Sequence, residues 1–122
     1  MRKGVLAAAL FVLALPGAPN AGEALTLQVS RAVVPAPGWI NVRTIIEDND
    51  DNRLLEVIAL SDDFSRRSVY ELDGKFAPRV KMVEYQNLPS GRYEIRAVLV
   101  GTSGVRATAT RVVDVVPMAG AR

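Results

Sequence analysis

The sequence predicts an all-β protein: a seven-stranded antiparallel Greek-key β-sandwich. Three observations carry the prediction. Apolar and polar residues alternate with a period of two over several short runs, as in strands with one buried face. Turn signals fall about every 8–12 residues, the spacing of a sandwich. Beyond the N-terminal segment, no stretch keeps a helical period and no internal repeat is found.

Each strand follows from its own residues. Leu25, Leu27 and Val29 alternate with Thr26, Gln28 and Ser30, and Pro35, Pro37 and Gly38 end this first strand. Residues 39–47 (WINVRTIIE) form the second, with Ile40, Val42, Thr44 and Ile46 on one face. Glu47 to Asn52 is a polar connection. Leu54 to Leu60 is a dense apolar run broken only by Glu56, short enough for a central strand. Ser61 to Arg67 is a second polar loop. Ser68 to Leu72 is the fourth strand, closed by the turn dipeptide Asp73-Gly74. Pro78 separates it from the fifth, Arg79 to Tyr85, and Pro89-Ser90-Gly91 makes the next turn. In Arg92 to Val100, Tyr93, Ile95, Ala97 and Leu99 face away from Arg92, Glu94 and Arg96. Gly101 to Gly104 (GTSG) is a hairpin signal leading to the last strand, Val105 to Val116. The expected core is Leu27, Val29, Trp39, Ile40, Val42, Ile46, Val57, Ala59, Val83, Tyr85, Leu88, Tyr93, Ile95, Ala97, Leu99, Ala107 and Ala109. The domain is expected over 25–116, with a disordered tail at 117–122.

The N-terminus reads as an export signal. Arg2 and Lys3 precede an uncharged run, Val5 to Leu15, which Pro16 and Gly17 break. That run is shorter than the about 20 residues a spanning helix needs, so a cleaved signal is expected rather than an anchor. Ala21 and Ala24 are the two cleavage candidates. No stable membrane insertion is expected after removal, and the product is expected to be periplasmic or secreted. The charge balance changes with processing. The chain has 15 Lys+Arg against 13 Asp+Glu, and loss of Arg2 and Lys3 leaves equal numbers. The computed pI of 9.3 therefore describes the leader. The remaining arginines are interleaved with acids and there is no aromatic platform, which excludes nucleic-acid binding.

The segment Asn87-Leu88-Pro89-Ser90-Gly91-Arg92-Tyr93-Glu94-Ile95 has the strongest local pattern. Leu88 is expected to plug the end of the core, Pro89 and Gly91 to turn the chain, and Tyr93 to lie across the corner with its hydroxyl bonded to nearby backbone. This Leu-Pro-x-Gly-x-Tyr run resembles the corner before the sixth strand of Ig-like, fibronectin type III-like sandwiches. It is also similar to the prealbumin-like carboxypeptidase regulatory-like domains of secreted bacterial proteins. The resemblance implies a binding or scaffolding module without catalysis.

The acidic loop is the candidate for metal chemistry. Asp48, Asp50 and Asn52 place oxygens at alternate positions, as at the start of a calcium loop. The pattern then departs: Arg53 stands where an EF-hand has Gly, and Ala59 where it has Glu. A solvated hairpin loop explains the same residues, since Asn and Asp tolerate turn conformations. The solvated loop is the reading preferred here, so no cofactor and no metal are expected, with calcium at Asp48, Asp50 and Asn52 the one candidate. In the next loop, Phe64 lies among Asp62, Asp63, Arg66 and Arg67, as either a contact residue or a cover for the sandwich edge.

The chain has no His and no Cys. This excludes a Ser–His–Asp triad, a Cys nucleophile, thiolate or imidazole metal ligands and disulfides. After processing, Lys75 and Lys81 are the only lysines, and neither lies in a nucleophile motif. A non-enzyme is expected: an exported interaction or scaffolding module with a protein or glycan partner. The alternative is a carbohydrate-binding accessory domain, calcium-assisted.

Overall fold

The computed structural model describes residues 24–117. The expected signal segment and the tail beyond Pro117 lie outside the described residues. The strands are β1 (Leu25–Val29), β2 (Val33–Pro35), β3 (Gly38–Ile46), β4 (Asn52–Leu60), β5 (Ser65–Glu71), β6 (Val80–Leu88), β7 (Gly91–Gly101) and β8 (Gly104–Val116). A single 3-10 turn, Gly74–Phe76, joins β5 to β6 among the described residues. None of these residues forms a helix long and apolar enough to cross a membrane.

The strands form two sheets. The smaller has the order β1-β3-β6, and the larger β2-β8-β7-β4-β5. Two expectations are corrected here. Among the described residues there are eight strands rather than the seven expected, and one pairing is parallel. After β1 has paired with β3, the chain crosses to the larger sheet, where Val33, Val34 and Pro35 lie beside Asp114, Val115 and Val116. A strand of three residues is too short to display a period, so the alternation in the sequence could not reveal it. Its edge position also accommodates Pro35, which has no N–H to give to a ladder. Hydrogen bonds from Asp114 N to Ala32 O (2.8 Å) and from Ala36 N to Val116 O (2.7 Å) hold its two ends.

The core fills the space between the sheets. Leu25, Leu27, Ile40, Val42, Ile46, Val83, Tyr85 and Leu88 enter from the smaller sheet, and Leu55, Val57, Ala59, Tyr93, Ile95, Ala97, Leu99, Ala109, Val113 and Val115 from the larger. Burying each large side chain contributes about 1.5–3 kcal/mol. Tyr85 keeps its hydroxyl satisfied inside by donating to Val57 O at 3.0 Å.

Trp39 corrects the expected core. It is 61% exposed, and its indole N–H donates to Glu84 Oε2 at 2.8 Å. The cause is the pleat: Ile40 and Val42 point inward, so their neighbour Trp39 points out. Val29 and Ala107, also expected inside, are only partly buried against the core.

Candidate functional site

The acidic loop is part of a polar network at one end of the sandwich. Asn49 Oδ1 accepts from Asp51 N at 2.8 Å, which bends the loop before β4. Asn52 is fully buried, and both ends of its amide are used: Nδ2 donates to Glu47 O (2.8 Å), and Oδ1 accepts from Arg106 Nη1 (2.6 Å). Arg106 also donates to Glu47 Oε1 at 3.2 Å. Asp51 accepts from the backbone N–H (3.1 Å) and the hydroxyl of Thr102 in the β7–β8 hairpin. These bonds, the hydroxyl's first, hold its carboxyl below the ordinary 3.8, with smaller contributions from the charges of Arg106 and Arg53.

The three calcium-candidate residues are therefore placed apart in role. Asn52 is turned inward to Glu47 and Arg106, while Asp48 faces Arg79 at 4.0 Å. The backbone carbonyl of Asp50 receives Arg53 Nη1 at 2.6 Å. Among the described residues, no group of three or more His, Cys, Asp or Glu side chains gathers to hold a metal ion.

The corner lies at the opposite end. Leu88 and the ring of Tyr93 are fully buried, and Tyr93 OH donates to Pro89 O at 2.8 Å. Asn87, just before the turn, is left-handed with φ 60°. Phe64 packs edge-on against Tyr93, with ring centres 6.4 Å apart. Of the two readings of Phe64, the geometry gives the cover for the sandwich edge.

Beside this corner a cleft opens on the outer surface of the larger sheet. Its volume is about 520 Å³, and it is lined by Leu60, Ser61, Asp62, Arg92, Tyr93, Glu94, Thr110 and Val112. A second hollow of 250 Å³ adjoins it, sharing Ser61, Asp62 and Arg92 and adding Asp63, Ser90 and Gly91. The strand register builds the floor: Leu60 lies opposite Glu94, and Glu94 opposite Val112. Its charges are mostly matched in pairs. Arg92 donates to both carboxylate oxygens of Asp114, at 2.9 and 3.3 Å, and Arg96 to Glu94 at 2.9 Å. The bond from Arg92 holds the Asp114 carboxyl below its ordinary value. Arg66 is drawn elsewhere, over the Phe64 ring (5.4 Å) and onto Gln86 O (3.1 Å). Asp62 and Asp63 have no ion-pair partner among the described residues. Ser61 donates its hydroxyl to Phe64 O at 3.2 Å and has no adjacent base, so it is not an activated nucleophile. Sequence reasoning missed this cleft because it arises from neighbouring strands far apart in the chain.

No family model and no curated protein matches the chain. Solved structures match in fold. A superoxide reductase (neelaredoxin) from Ignicoccus hospitalis is 12% identical, with a TM-score of 0.60 over 76% of this chain and 80% of that one. Two single-site variants of that protein align over the same shares. The soluble domain of PmoD from a Methylocystis species is 17% identical, with a TM-score of 0.54 over 80% of this chain and 94% of that one.

These neighbours correct the functional expectation. An enzyme is built on this kind of sandwich, so the fold does not imply the non-catalytic interaction or scaffolding module expected from the sequence, nor its carbohydrate-binding alternative. Superoxide reduction is itself one-electron chemistry, the work of a metal or organic cofactor. The residues here do not fit a redox metal held by imidazole or thiolate, because the chain has no His and no Cys. What this chain shares with these proteins is an all-β, two-sheet architecture.

Proposed function

We propose that this is an exported domain that binds a small cationic molecule in the cleft beside the Tyr93 corner. One observation carries the reading: Asp62 and Asp63 are free carboxylates at a hollow whose other charges are matched in pairs. A protonated amine would receive charge-assisted hydrogen bonds there. Leu60 and Val112 on the floor suit a short apolar chain beside it. Any chemistry on the bound molecule would rest on hydroxyl and carboxylate oxygens.

The test is a titration of the isotope-labelled, processed protein followed by backbone amide shifts. Hexylamine should move Asp62, Asp63, Glu94 and Val112, and the double variant Asp62→Asn, Asp63→Asn should remove most of the response. Equal shifts with hexanoate, or shifts confined to other residues, would overturn the reading. Export is supported by Arg2, Lys3 and the apolar run from Val5 to Leu15. Mass spectrometry of the product outside the cytoplasm should find the first 21 or 24 residues gone; an intact N-terminus would refute export.

A further inference from the structure

The outer face of the smaller sheet carries a different arrangement. Its outward residues include Gln28 on β1, Trp39, Asn41 and Arg43 on β3, and Val80, Met82, Glu84 and Gln86 on β6. Three of them are large apolar side chains left open to solvent: Trp39 (61%), Met82 (56%) and Val80 (42%). Beside Met82 lies a hollow of 180 Å³ lined by Gln28, Val29, Ser30, Asn41, Arg43 and Met82. About 150 Å³ suffices for a benzene ring in a protein cavity.

The charges on this face are not matched. Arg43 reaches only Gln28 Oε1, at the long distance of 3.5 Å, and no carboxylate pairs with it among the described residues. Glu84, the one acid among those outward residues, is held at the far end by Trp39 Nε1 (2.8 Å) and Gln86 Nε2 (2.9 Å). The face therefore presents an apolar hollow with an uncompensated guanidinium in its wall. Charge complementarity asks for one carboxylate, and the hollow asks for an apolar body next to it.

We infer that this face binds a small apolar carboxylic acid, its carboxylate on Arg43 and its apolar part in the hollow against Met82. The site is separate from the cleft at Asp62 and has the opposite charge preference.

The chain's single tryptophan reports on it, since Trp39 lies on the same face. The probe is 4-phenylbutyrate, titrated into the processed protein and followed by tryptophan fluorescence. 4-Phenylbutanol and 4-phenylbutylamine have the same body with a neutral or cationic head. The acid should give a saturable change and bind at least about tenfold more tightly than the alcohol, as one charge-assisted contact supplies. Arg43→Gln should remove that preference. Arg43 is exposed, so the variant keeps the fold, which its melting curve checks. On the unmodified protein, high salt should weaken the acid and leave the alcohol unchanged. The inference is overturned if the alcohol or the amine binds as tightly as the acid. Retention of the acid's preference by Arg43→Gln would overturn it too. So would a fluorescence response to vesicles of anionic phospholipid but none to the free acid.

Discussion

Replacing Tyr93 by Phe removes one oxygen from the corner and leaves the ring in place. In the native structure that oxygen donates to Pro89 O at 2.8 Å, across the turn between β6 and β7. The ring is fully buried and packs against Phe64, and neither contact needs the hydroxyl. The loss is therefore one hydrogen bond to a part-buried carbonyl, worth about 1 kcal/mol net. For a domain of this size, 1 kcal/mol lowers Tm by about 4–8 °C. Tyr93→Ala removes the ring as well and should cost about 3–5 kcal/mol, like other aromatic truncations in a core. Urea unfolding measures both, and Tyr93→Phe should lower the midpoint without changing the slope. If Tyr93→Phe proved neutral, the hydroxyl would contribute nothing to the corner and the account of the turn would fail. If it cost as much as Tyr93→Ala, the ring would not be the main anchor.

Three further outcomes follow from contacts already described. Asn52→Ala should destabilise by about 1–3 kcal/mol, because it strands Glu47 O and removes a partner of Arg106; urea unfolding checks it, and a neutral result would refute the buried network. Gly38→Ala would bring a Cβ to 2.9 Å from Val115 Cγ2, an overpacking cost of about 1–3 kcal/mol. Adding Val115→Ala should recover part of that cost, and a double-mutant cycle that proves additive would refute the clash. Asp51 and Asp114 both have carboxyls held below 3.8 in the fold, so the fold favours their ionised forms. Their contribution is complete above that value and is lost as the pH falls through the lower folded values. Melting curves between pH 5 and pH 2 should fall less steeply for Asp51→Asn and Asp114→Asn than for the native chain.

Strand positions were legible wherever one face is buried and the other wet. Ile40, Val42 and Ile46, or Tyr93, Ile95, Ala97 and Leu99, announce their face by period alone. The same period places Trp39 outside, so its place in the expected core ran against the alternation of its own strand. Leu55 was obscured because the run Leu54 to Leu60 is apolar on both faces, so alternation vanishes there. The cleft was illegible for another reason. Its floor joins Leu60, Glu94 and Val112, whose proximity is set by which strands become neighbours. The uncompensated state of Arg43 is likewise a property of the register, since nothing near it in the chain says that Met82 lies opposite.

The parallel strand β2 joins a segment near the start of the described residues to Asp114–Val116 near their end. Synthesis delivers those partners after all the other described strands. A nascent chain stopped before residue 114 has no place to dock Val34, and β8 lacks the buried side chains of Val115. The docking of β2 and the burial of Val34 are therefore complete only once residues 114–116 are present.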